Sequence, residues 1–416
     1  MSDSWYKVDN VAKVFLATAS MRDPRVFRIS CTLQEQVDPD TLNEALRRTA
    51  QEWPQFQVTL HRGLFWHYFE STDLMPAAQP ETKAPCAPLY TPERRNRLIY
   101  RVTYFGARIN LEMFHAITDG NGGLLYLKSI VRNYLALRHP SELDSVPSPN
   151  SASAGDLAQD SFRNFYGGTR RRKAEKKTKV YRLHGFLPYD QLQFFEGHLS
   201  ARQVLDRSHA LGVSMTSYLG ACFMLAIYHD MPALERSKPI SISLPVNLRS
   251  YYGTETARNF FNSIRISWVF RGDETLETLA KGFDAKLREA LKDERVKARM
   301  DGFEKLEQMP GIKLVPLFIK NAVVNLFNTL EAKKVTLTIS NMGRIPLQKE
   351  LQPYIKGFTA FCSSPTAFTT VCSYGDDLVL GTTWAFRSTE MLKNFYRRLS
   401  AEGLDITLYA TEVDGE

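Results

Sequence analysis

The 416-residue chain is poor in cysteine. Its five cysteines (Cys31, Cys86, Cys222, Cys362, Cys372) form an odd set without a Cys-x-x-Cys pair. This argues against a disulfide framework and a cysteine-built zinc site, and fits a reducing compartment. No apolar run approaches the roughly 18 to 20 residues that span a bilayer. The polar start MSDSWYKVDN lacks a charged segment leading into an apolar one, so no transmembrane segment is expected and the expected location is the cytoplasm. Helix-turn-helix, zinc-finger and RNP patterns are also missing. The formal charge of +8 is local: Arg170 to Lys179 carries seven basic residues and one acid, a net +6, which leaves only +2 for the rest. Nucleic-acid binding is therefore not expected.

What remains is an ordinary globular composition, 44% hydrophobic and 24% charged, which excludes a largely disordered or collagen-like chain. The length suits two or three domain-sized units. The pattern of Asp38 to Glu52 predicts a capped amphipathic helix with Leu42, Ala45, Leu46 and Ala50 on one face. Alternating residues predict a strand pair through Phe56–Leu60 and Leu64–Tyr68, then strands through Leu98–Tyr104 and Ile109–Met113. The same count places His115 on the apolar side of the last strand. A helix is predicted from about 121 to 137, a linker in the Pro/Ser-rich and basic stretch from about 139 to 180, and a second mixed half beyond it. That half should hold helices at 216–228, 276–291 and 390–400, strands at 240–246, 264–270 and 335–341, a hairpin over 368–384 and a strand near 406. The fold class is α+β, in two halves of similar style.

The run FHAITDG at 114–120 is the most informative. With 8 His, 23 Gly and about half of the 45 acids being Asp, chance supplies about 0.02 His-x-x-x-Asp-Gly matches in such a chain. It also falls where a strand ends and a Gly-started helix begins, a common place for functional side chains.

The sequence here resembles the acyl-CoA-dependent acyltransferase superfamily, which includes chloramphenicol acetyltransferase, BAHD acyltransferases, alcohol acetyltransferases and nonribosomal peptide condensation domains. Their signature is His-His-x-x-x-Asp-Gly. Leu244-Pro-Val-Asn-Leu-Arg249, Asn259-Phe-Phe-Asn262 and Ser340-Asn-Met-Gly-Arg-Ile-Pro346 follow in the expected order, closest to the alcohol acetyltransferase and condensation-domain branch. The resemblance covers about residues 10 to 410. Two features depart from it: Phe114 stands where the family has its first His, and the Asp-Phe-Gly-Trp-Gly motif of the plant branch is missing.

The resemblance implies two chloramphenicol-acetyltransferase-like lobes of mixed sheets flanked by helices, with a tunnel at their interface: residues 1–165, a basic linker 166–180, and 181–416. It implies His115 as general base for direct transfer from acyl-CoA to a small alcohol or amine, with no acyl-enzyme and no permanently bound cofactor. Asp119 would pair with Arg249, and Gly120 would leave room for substrate and permit backbone angles that a Cβ hinders. Ser340, Asn341 or an N–H near Gly120 are the implied oxyanion donors. A carrier-protein donor and a noncatalytic binder remain as alternative functions. From the residues alone, His115 is also readable as a core histidine, Asp119-Gly120 as a turn or cap, and Arg249 as a surface charge. The basic run is readable as a solvated linker or as a collector of CoA phosphates or an acidic carrier protein. The apolar stretch 312–330 is expected to pack in the core, with a lipid-facing entrance as the alternative. The other histidines (His61, His67, His139, His184, His198, His209, His229) share no spacing with acids or cysteines, so no metal site is expected.

Overall fold

The computed structural model describes residues 5–82, 84–90, 96–148, 154–159, 161, 179–188, 191–292 and 314–410. The basic run, apart from Lys179, lies outside the described residues.

Local rules place the first elements. Asp38 caps helix α2 (Pro39–Glu52; α1 is Asn10–Thr18) by accepting from Thr41 N at 2.8 Å, and Pro39 occupies the first turn. Leu42, Ala45 and Leu46 are fully buried, packed towards α3 (Gly120–Arg138). A small sheet of β1 (Trp5–Lys7), β3 (Val58–Arg62) and β4 (His67–Ser71) runs in the order β1-β4-β3, so Phe56 lies in a 3-10 turn just before its expected strand. The second sheet, in the order β12-β2-β7-β6-β5, joins β2 (Val26–Leu33), β5 (Ala78–Pro80), β6 (Tyr100–Phe105) and β7 (Arg108–Phe114) to β12 (Ile355–Cys362). A late segment of the chain thus closes the sheet that carries the motif.

The third sheet has seven strands in the order β10-β9-β11-β13-β14-β8-β15. They are β8 (Gln193–Ser200), β9 (Ile240–Asn247), β10 (Phe261–Trp268), β11 (Leu337–Arg344), β13 (Ala367–Tyr374), β14 (Asp377–Trp384) and β15 (Ile406–Ala410). Helices α4 (Ala201–Ala210), α5 (Met215–Asp230), α6 (Leu276–Ala290) and α8 (Glu390–Ala401) accompany them; α7 is Leu317–Ala332. α5 is buried from Ser217 to Ile227. A Cβ at Gly220 would sit 2.6 Å from the Phe283 ring, so only glycine lets α6 approach this closely. Two apolar cores result, one around β2, β7 and α3, the other around α5 and the seven-stranded sheet.

Both faces of β7 are covered, Asn110 and Glu112 being fully buried. Glu112 accepts from Arg28 Nε at 2.9 Å and Cys86 N at 2.7 Å and pairs with Arg101, which offsets the desolvation. The stretch from residue 139 is not all linker: Pro140–Leu143 is helical, and Leu143, Val146 and Leu157 are buried in the first core. Finally, α7 does not pack in the core. Of its residues only Leu317 is buried, and Phe318, Val323, Leu326 and Phe327 are each more than 60% exposed.

Candidate active site

The motif works because neighbouring residues of a strand point opposite ways. Phe114 ends β7 on the side of Asn110 and Glu112, fully buried and stacked on Tyr90 at 5.6 Å. This explains the aromatic at the family's first His position: the side chain fills core. His115 points the other way and stays half-buried. Its N–H donates to Arg25 O at 2.7 Å, a carbonyl presented by a residue held at φ +57°, where a non-glycine residue is strained. Phe15 of α1, Phe27 of β2 and Phe261 of β10 surround the imidazole at ring distances of 4.3, 5.1 and 5.7 Å.

Asn259 fixes the orientation of that ring. Its amide Nδ2 donates to His115 O at 2.9 Å and lies 3.4 Å from the buried carboxylate of Asp9, so the amide oxygen must face the ring. That oxygen lies 3.2 Å from His115 Nδ1. Nδ1 therefore carries the proton, and Nε2 keeps its lone pair. Burial lowers the His115 pKa, an effect larger than the opposing charge of Asp119, so the ring is neutral at neutral pH.

Asp119 faces away from this lone pair and is fully engaged. Its Oδ1 accepts from Asn121 N and Gly122 N, both at 3.1 Å, and from Arg249 Nη2 at 2.9 Å; Oδ2 accepts from Arg249 Nη1 and Phe260 N, both at 2.9 Å. The carboxylate thus caps α3 and pins the loop 256–260 at once. Arg249 opens the short helix Arg249–Tyr252, two residues beyond the end of β9. All five of its N–H groups are engaged: the remaining three donate to Thr256 O, Asn247 Oδ1 and Arg258 O at 2.7, 3.1 and 2.7 Å. It is a buried residue, not a surface charge.

The glycines divide the work differently from expectation. Gly120 has no positive φ; it is the first residue of α3, a conformation open to any residue, so backbone freedom is not its reason. A Cβ there would meet only Met342 Cε, at 3.9 Å, whereas one at Gly122 would lie 2.2 Å from both Ala257 O and Thr118 Oγ1. Gly122 is the position that close packing demands. Asn341 sits at a bulge in β11, donates to Thr216 Oγ1 at 2.9 Å and accepts from Gly343 N at 2.8 Å. No hydrogen bond among the described residues links Ser340 or Asn341 to His115. The structure brings His115, Asp119 and Arg249 together around the loop 256–260, and β11 also reaches this turn, Met342 Cε lying 3.9 Å from where a Gly120 Cβ would be. The structure adds Asp9, Phe15, Arg25 and Asn259, of which only Asn259 lay in a segment marked by the sequence.

Two open surface clefts, of about 970 and 430 Å³, lie elsewhere. One is at the β9–β10 edge beside Trp268, the other against β6 with Arg28, Glu81 and Arg101 in its wall, and neither is lined by His115.

No family model matches the sequence, and no curated protein matches it. Solved structures do match along nearly the whole chain. TRI101 of F. sporotrichioides, complexed with coenzyme A and T-2, is 10% identical, covers 97% of this chain and 99% of its own, and superposes with a TM-score of 0.65. Polyketide synthase associated protein 5 from Mycobacterium tuberculosis is 15% identical, covering 94% and 96%, with a TM-score of 0.60. The chain shares the mixed α+β fold of these structures along nearly its whole length. The first condensation domain of the CDA synthetase shares it too, at 15% identity, 97% of both chains and a TM-score of 0.60. No single helix of the described residues is long and apolar enough to cross a membrane.

Proposed function

We propose that the protein transfers an acyl group from a thioester, acyl-CoA, to an alcohol or amine, with His115 as the general base. The observation that carries this reading is the Asn259 amide oxygen 3.2 Å from His115 Nδ1, which leaves Nε2 as the basic nitrogen of an imidazole that burial keeps neutral. Nε2 takes the acceptor proton as its oxygen or nitrogen attacks the thioester carbonyl. The tetrahedral intermediate collapses, the C–S bond breaks, and the imidazolium returns the proton to the leaving thiolate. The products are the acylated acceptor and free CoA thiol, and no acyl-enzyme forms.

Asp119 cannot serve as that base, since both of its oxygens are occupied; it holds the turn that aims His115. Of the first N–H groups of α3, those of Asn121 and Gly122 are engaged by Asp119. Gly120 N–H is then the backbone candidate for the oxyanion, with Ser340 and the second amide N–H of Asn341 as side-chain candidates. A tunnel between the lobes would bring donor and acceptor to the ring from opposite faces.

The test is thiol release from acyl-CoA with a panel of alcohols and amines, run beside an acyl-loaded carrier protein. Acceptor-dependent release from acyl-CoA supports the reading. Turnover on the loaded carrier alone would make the protein a stand-alone condensation domain, a fold that the chain shares. Ligand binding without release from either donor would mark a noncatalytic binder.

A further inference from the structure

Helix α7 is amphipathic in the inverted sense. An ordinary surface helix turns its apolar stripe towards the core. Here Asn321, Asn328 and Glu331 lie on the half-buried side with Leu317 and Val324, and Glu331 is tied there to Arg265 at 2.7 Å and to Lys334. The outer side carries Phe318, Ile319, Val323, Leu326, Phe327 and Leu330, exposed by 43 to 64%. The patch continues onto the first lobe. The bend between β3 and β4 meets the start of α7, Leu64 O accepting from Leu317 N at 2.9 Å and Phe65 O from Lys320 Nζ at 3.0 Å. At that bend Leu64 is 70% and Trp66 52% exposed.

The exposed charges at the ends of the patch are basic, and the one acid of α7, Glu331, lies on its half-buried side in ion pairs with Arg265 and Lys334. Residues 312–330 contain no Asp or Glu, and the bend from Arg62 to Trp66 contains none either; Arg62 and Lys333 are exposed at its two ends. Aliphatic and aromatic side chains with exposed flanking cations, and with the helix's one carboxylate already paired on the other side, suit shallow insertion between lipid headgroups.

The geometry points to α7 and the β3–β4 bend as a docking face for an anionic phospholipid surface. Behind α7 lies α1, whose Phe15 ring rests 4.3 Å from the His115 ring, so the docked face backs directly onto the candidate site. The docking face stands on exposure and charge and does not depend on the catalytic reading.

Flotation of the full chain with phosphatidylcholine vesicles, with and without phosphatidylglycerol, tests it without any turnover measurement. The wild-type protein should float with the anionic vesicles and be released by salt. Leu326→Asp and Phe327→Asp, at exposed positions where folding should persist, should each lower the partition by about tenfold or more. Lys333→Glu should weaken binding several-fold to the anionic vesicles only. Sedimentation of the same samples covers the rival occupant. A wild-type dimer that Phe327→Asp converts to monomer, with no vesicle binding, would overturn the proposal in favour of a second copy. A monomer that stays in the soluble fraction, or variants that float like wild type, would overturn it outright.

Discussion

Asn259 is the residue whose role follows most directly from hydrogen-bond chemistry. An amide whose nitrogen faces a carbonyl and a carboxylate can present only its oxygen to the ring, and a ring nitrogen beside that oxygen must be protonated. Asn259→Ala leaves both tautomers open, so kcat should fall by about tenfold or more while KM changes little. The pH profile gives a second readout. With the folded His115 pKa below its ordinary 6.5, the base stays neutral down to that lower value, and the acid limb of kcat/KM should lie below pH 6.5. A limb above 6.5 would contradict the buried, neutral ring. The sequence marked His115 and Asp119 by their spacing. It was silent on Asp9, Phe15 and Arg25 because they reach the site through folding: a helix cap, a face of α1 and a strained carbonyl carry no local signature.

At the scale of elements, helices with a cap and a clear period were readable. Asp38 and Asp119 start α2 and α3, and the hairpin across Gly375 was also visible. β12 was not, because nothing in a strand's own sequence names the strand it will pair with. α7 misled for a related reason: apolar spacing gives a face but does not say which way that face turns. The strand-to-helix turn makes a separable prediction through its glycines. Gly122→Ala drives a Cβ into Ala257 O and Thr118 Oγ1 and should cost about 1 to 3 kcal/mol of stability in urea unfolding, along with activity. Gly120→Ala should leave the urea midpoint unchanged or slightly raised, since α3 geometry suits alanine there. If the open space before Gly120 receives substrate, the same variant should still raise KM. A large loss of stability at Gly120 would refute this division of labour.

For the molecule as a whole, the Asp119–Arg249 pair ties the two sequence halves together. Asp119 belongs to the first core, while Arg249 gathers the segment 247–258 between β9 and β10. Removing one partner leaves a buried charge uncompensated, so Arg249→Ala should destabilise the protein by about 3 to 5 kcal/mol. Asp119→Asn keeps the shape but loses the charge, and should cost less in the same unfolding assay. Both should lower activity by displacing the turn that aims His115. Motifs spread over both sequence halves suggested that their residues meet; the bond network that joins them at Asp119 needed the coordinates.

The most direct test of the central claim is acceptor-dependent thiol release by His115→Ala, compared with wild type on a donor and acceptor that the wild-type protein turns over. The account predicts a fall of about 10² to 10⁴ in kcat, with an unchanged unfolding midpoint. Near-wild-type turnover by the folded variant would contradict it.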